Sequence, residues 1–115
     1  MRFRLVLVIA AVATFGLAAS AHAQDKAAID KGKKVYDTAT PKCSVCHAIA
    51  GVGKATSPLD SVGAKMTADE IRAWITDPKA QAAKAKKPAT MPAYSKLTKD
   101  DVDNLVAYLS SLKKK

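Results

Sequence analysis

Cys43-Ser44-Val45-Cys46-His47 is the stretch whose residue types and spacing together dictate a chemistry. The pattern C-x-x-C-H is the signal for covalent attachment of a c-type haem. Two thiols on one tight turn can each add to a vinyl group of the same porphyrin. The histidine beside the second cysteine then sits beneath the iron and can ligate it. A zinc site is a poorer reading, because the chain holds two cysteines and no second ligand pair, and His22 falls in a leader segment. A thioredoxin-like redox pair wants a strand–helix context, and none precedes Cys43.

A haem iron has two axial places, and His47 fills one. The candidates for the other are Met66, Met91 and no residue at all. Met66 stands at a helix entrance, where a packing role already accounts for it. Met91 lies in Pro88-Ala89-Thr90-Met91-Pro92-Ala93-Tyr94, and the proline after it disfavours helix and stiffens an extended loop. Such a loop can hold a weak thioether against iron. The plain alternative is that Met91 fills a gap in the core. Met91 is the preferred ligand.

The elements that must position these groups read as helices. Asp25 to Tyr36 places Ala28, Ile29, Gly32, Val35 and Tyr36 at helical offsets. Gly32 permits close approach by another helix, with Tyr36 one turn on to pack beside it. Thr40-Pro41 breaks that helix before the haem motif. From Ala48 to Lys65 the chain is rich in Gly, Ser and Pro, which suits a loop wrapped around an object. Thr67-Ala68-Asp69-Glu70 reads as a capping box opening a helix to about Thr76, with Met66 and Ile71 at the places of a hydrophobic staple. Ile71, Trp74 and Ile75 make its apolar face, and Asp77-Pro78 ends it. Lys79 to Pro88 is a frayed helix or a basic strap. Thr98 caps a last helix whose buried stripe is Val102, Leu105, Val106, Leu109 and Leu112. No strand is expected.

Residues 1–23 read as a cleaved secretory signal peptide, and 24–115 as the folded domain. Arg2 and Arg4 give the positive start, Leu5 to Ala19 is apolar apart from Thr14, and Ala21-His22-Ala23 is an A-x-A cleavage site. The apolar run is shorter than the ~18–20 residues a membrane span needs. The expected compartment is the periplasm, with no stable membrane insertion after cleavage. Aromatic residues make up 5% of the chain, thin for an independent core. A buried porphyrin would supply the missing apolar mass. The formal charge of +9 calls for an anionic partner. Export argues against nucleic acid.

With these residues in view, the chain resembles a class I c-type cytochrome of the small, soluble bacterial kind. Gly32 and Tyr36, the C-x-x-C-H motif, Met66 through Pro78, Met91-Pro92-Ala93-Tyr94 and Leu105-Val106-Ala107-Tyr108-Leu109 carry the resemblance, which covers nearly all of Asp25 to Lys115. It implies an all-α fold, a small cytochrome c fold of three to four helices and loops wrapped around one covalently attached haem c. Gly32 and Tyr36 are then expected to meet Tyr108 where the first and last helices cross. Cys43 and Cys46 carry the thioethers, His47 and Met91 are the axial iron ligands, and Trp74 and Tyr94 join them as haem-binding residues. The family also has the ligand histidine donate from Nδ1 to a loop carbonyl. Pro58 stands one place late for that pattern, so the acceptor is the carbonyl of Ser57 or of Pro58.

The expected function is therefore single-electron carriage by a periplasmic monomer rather than catalysis. Its expected partners are redox proteins with acidic docking surfaces: a quinol oxidoreductase, a terminal oxidase or a periplasmic dehydrogenase. Lys42, Lys54, Lys84, Lys86, Lys87 and Lys96 flank segments expected to border the haem edge and to steer docking. The alternatives are a haem enzyme or gas sensor with an open or displaceable sixth site, and an electron-entry subunit held in a dehydrogenase complex.

Overall fold

The first and last helices cross where Gly32 presents bare backbone. In the computed structural model, which describes residues 18–114, α1 spans Ala18–Thr38 and α5 spans Lys99–Ser110. A Cβ on Gly32 would run into the Asn104 carbonyl oxygen and stand 2.7 Å from Tyr108 Cβ. One turn on, the Tyr36 ring meets that of Tyr108 edge to face, with centroids 6.0 Å apart and planes at 68°. The glycine thus sets the crossing distance and the tyrosines fill it, an arrangement worth more than area burial alone. The expected leader lies outside the described residues, save that Ala18–Ala23 form the first residues of α1. Among the described residues no helix is long and apolar enough to cross a membrane.

Five α-helices stand among the described residues, against the expected three to four. The additions are α2, Val62–Lys65, and α4, Pro78–Lys84. Each is too short to show a helical period in sequence. Helix α3, Ala68–Thr76, opens with the capping box read from Thr67 and Glu70: Thr67 N donates to Glu70 Oε2 at 2.7 Å, and Glu70 N to Thr67 Oγ1 at 3.2 Å. Asp77 ends α3 and also begins α4, its carboxylate accepting from Ala80 N at 3.2 Å with Pro78 in the first turn. Of the two readings of Lys79 to Pro88, the helix holds as far as Lys84. Thr98 and Asp101 form the equivalent box at α5.

The expectation of no strand needs correction. Between the haem motif and Ser57 the chain turns back on itself as β1, Ala48–Ile49, paired antiparallel with β2, Val52–Gly53. Both turn residues have positive φ, Ala50 at 52° and Gly51 at 79°. That is the backbone of a two-residue hairpin, written here without the usual Asn-Gly or Asp-Gly signature. Asp60 steadies it from outside by accepting from Ala50 N at 2.8 Å. The C-terminal residues after α5 close over the same loop, with Gly63 N donating to Leu112 O and Lys114 N to Asp60 O.

Helices α1, α3 and α5 share one core. Tyr36, Ile71, Ile75, Tyr94, Val102, Leu105, Val106, Tyr108 and Leu109 are buried in it, with Leu112 at its edge. It is a shell with a hollow at its centre.

Candidate functional site

Backbone hydrogen bonds wind Lys42 through His47 into one tight turn. Val45 N donates to Lys42 O, Cys46 N to Cys43 O, and His47 N to Cys43 O at 2.9 Å. The turn sets Cys43 and His47 four residues apart on one side, both facing the hollow, since residues spaced three and four apart share a helical face. Cys43 is buried, and Cys46 is exposed at the outer edge of the same turn rather than on the cavity wall.

The hollow is a cavity of about 450 Å³, inside the ~300–1,000 Å³ range of small-molecule and cofactor sites. Its walls are largely apolar: Ile71, Trp74 and Ile75 from α3, Leu105 and Leu109 from α5. Met91 and Tyr94 come from the loop before α5, and Met66 from the turn before α3. His47, Cys43, Met91, Trp74 and Tyr94 are thus brought to one cavity, while Cys46 flanks it. Met66 also borders it, but stands 36% exposed, whereas Met91 packs against the core.

His47 has its orientation fixed. Its Nδ1 lies 3.0 Å from the carbonyl oxygen of Ser57, which settles the choice between Ser57 and Pro58 in favour of Ser57. A carbonyl oxygen can only accept, so Nδ1 carries the proton and Nε2 keeps its lone pair for a metal. The acceptor is itself held, since Ala48 N also donates to Ser57 O and Leu59 N returns to Ala48 O at 2.8 Å. On the other side, the His47 carbonyl accepts from Lys54 N at 3.1 Å and, more weakly, from the Tyr36 hydroxyl at 3.5 Å. Gly53 lies so near that a Cβ there would strike the His47 carbonyl oxygen.

Burial shapes the titratable groups on this wall. It pushes the Cys43 thiol above its ordinary value, an effect partly offset by the neighbouring Tyr94 hydroxyl. The Tyr36 phenol is pushed up to about 12, chiefly by burial and then by Cys43. Tyr94 is raised further by burial and Cys43, so both hydroxyls stay protonated donors at physiological pH. The Tyr94 hydroxyl donates to Pro41 O at 2.9 Å.

These residues fit a haem. One apolar cavity of suitable size is lined by the His47 imidazole and the Cys43 thiol of the haem turn and by the Met91 thioether of the loop before α5. Among the described residues no three His, Cys, Asp or Glu side chains cluster as metal ligands would, which leaves the zinc reading without support. Lys65 stands on the cavity wall with no sequence signal to announce it, and Lys87 is the one lysine of the expected docking set that also borders the cavity.

Comparison with known proteins agrees. The family model described as Cytochrome c matches residues 29–113. The cytochrome c oxidase subunit 2 of Alkalihalophilus pseudofirmus is 31% identical over 107 residues, covering 85% of this chain but 30% of the relative's own length. The chain therefore spans under a third of that relative. In three dimensions the c-type cytochrome SorU from Sinorhizobium meliloti is similar, with a TM-score of 0.58 at 22% identity, covering 76% of this chain and 93% of that one. That likeness is one of fold.

Proposed function

The chain belongs to the cytochrome c family, with one covalently bound haem c, and from that premise we propose that it is a His/Met-ligated, periplasmic carrier of single electrons rather than an enzyme. The observation that carries this reading is the pairing of His47, its Nε2 left free by the Ser57 bond, with Met91 on one apolar cavity. When bound, the haem supplies one-electron exchange between Fe(II) and Fe(III), at a potential that a Met/His pair and burial both raise. The protein's part is to hold and to exclude. Cys43 and Cys46 would tether the group, and His47 and Met91 would occupy the two axial places. Ile71, Ile75, Leu105 and Leu109 keep water from the cavity, and Trp74 and Tyr94 complete its wall.

Export is supported by the Arg2–Arg4 start, the apolar run and Ala21-His22-Ala23. The partner class is supported by charge. The run from Pro78 to Lys99, which contains Met91, holds six lysines and no acidic residue. It suits a redox protein with an acidic docking surface, among which a terminal oxidase is favoured by the oxidase subunit 2 relative. A quinol oxidoreductase or a periplasmic dehydrogenase has the same requirement.

Optical spectra and carbon monoxide test the ligation. The oxidised protein should show the sulfur-to-iron charge-transfer band of Met-ligated haem c, and the reduced protein should not bind carbon monoxide. Met91→Ala should abolish the band, lower the potential and admit the gas. Met66→Ala should leave the band intact and cost about 1 kcal/mol of stability. Ready carbon monoxide binding by the unmutated protein would replace this reading with that of an enzyme or gas sensor.

A further inference from the structure

We infer that Tyr94 is the positioning residue that holds the Met91 loop shut over the sixth site, an inference that rests on Met91 as ligand. Among the described residues, every hydrogen bond that segment 88–97 sends outside itself is made by Tyr94. Its amide donates to Ile75 O at the end of α3, at 3.1 Å, and its hydroxyl donates to Pro41 O just before the haem motif, at 2.9 Å. The other bonds of the segment, Thr90 N to Pro88 O and Leu97 N to Tyr94 O, are internal. Tyr94 is buried, at 9% exposure, while Thr90, Pro92, Ala93, Ser95 and Lys96 around it are exposed.

One residue therefore ties the Met91 loop to the end of α3 through its backbone and to the stretch that leads into Cys43 through its side chain. The tie works through geometry. A thioether is a weak ligand, and any exogenous base must wait for the loop to lift. The apparent affinity of such a base scales with the fraction of molecules in the lifted state. Removing the Tyr94 hydroxyl leaves the ring's packing in place and deletes one of the two external bonds. A net hydrogen-bond contribution of about 0.5–1.5 kcal/mol corresponds to roughly a twofold to tenfold rise in that fraction.

Imidazole, titrated into the oxidised holoprotein and read by loss of the charge-transfer band, tests this. Tyr94→Phe should bind imidazole about twofold to tenfold more tightly than the unmutated protein. Asp103→Asn, which removes an ion pair between α3 and α5 away from the loop, should not change the affinity, so a general loss of stability is distinguished. In a Met91→Ala background, where the site is already open, Tyr94→Phe should add nothing. Equal affinities for Tyr94→Phe and the unmutated protein would overturn the clamp, as would an equal gain in the Met91→Ala background or from Asp103→Asn. An unmutated protein that takes imidazole as readily as Met91→Ala would instead overturn Met91 as ligand, and the clamp with it. Should Tyr94→Phe fail to assemble, amide exchange in the unmutated holoprotein decides: saturating imidazole must speed exchange at the Tyr94 amide, and an unchanged rate refutes the clamp.

Discussion

His47 Nδ1 and the Ser57 carbonyl oxygen stand 3.0 Å apart across a hairpin that neither belongs to. That bond fixes the imidazole's tautomer and its plane, as outer partners of metal-ligating histidines commonly do. The hairpin of β1 and β2 fills the gap between the two residues and brings Gly53 against the back of the His47 carbonyl. The orientation of His47, the proposed axial ligand, therefore depends on a turn that contributes no candidate ligand.

Gly53→Ala should show this dependence. Gly53 has φ of +110°, a conformation that side chains rarely adopt, and a Cβ would collide with the His47 carbonyl oxygen. Backbone strain of this kind costs roughly 1–3 kcal/mol, and relief of the collision must displace the haem turn as well. Denaturant unfolding of the holoprotein should register the loss, together with a shifted potential. A loss below about 0.5 kcal/mol would mean that the turn relaxes without moving His47.

The helices and the site were legible in sequence where one local pattern decided them. Thr67 and Glu70, and Thr98 with its following acids, announce their helix starts because a capping box is made by residues three apart. Cys43, Cys46 and His47 are legible for the same reason. The hairpin was hidden because Ala50 carries its first positive φ, where Asn or Asp would have signalled it. The choice of Ser57 over Pro58 depends on how that hairpin sets the loop, and the role of Asp77 in two helices depends on the chain bending between them. These are tertiary outcomes.

Asp103 offers a pH test. Its carboxylate accepts from Lys99 on its own helix and pairs with Arg72 of α3, at 2.7 and 2.6 Å. Lys99 first, then Arg72, hold its pKa below the ordinary value. A depressed folded-state pKa contributes stability above the unfolded value and loses it as pH falls through the folded one. The melting temperature of the unmutated protein should exceed that of Asp103→Asn at neutral pH. The gap should close as pH drops well below about 3.9. Solvent exposure of both partners keeps the gap small. A gap that persists in acid would assign the effect to packing.

Ionic strength should govern the encounter with a partner. The positive charge is concentrated around the Met91 loop, and the screening length falls to about 10 Å at 0.1 M salt. Flash-induced electron transfer to an acidic redox protein should slow as salt rises. Lys87→Glu, at the cavity wall, should lower the rate more than Lys34→Glu on exposed α1. A rate that is flat or rises with salt would make the basic face one of solvation alone.

Haem should be part of the core as well as the redox group. Ile71, Ile75, Leu105 and Leu109 are buried on their outer sides but border the same cavity of about 450 Å³ within. Without a filling group, each loses contacts on its inner side, and closely packed cores tolerate such voids poorly. Small domains with little apolar mass commonly rely on a cofactor for this reason. Cys43→Ala with Cys46→Ala removes both thiols, so the group can bind only through reversible contacts. The expected outcome after export is little folded protein, with weak helical circular dichroism and no cooperative melt. Free haem added in excess should restore part of the helicity, since His47 and the apolar walls remain. A double variant that is helical and melts cooperatively without haem would show that α1, α3 and α5 close on one another unaided, and that the tether serves electron transfer alone.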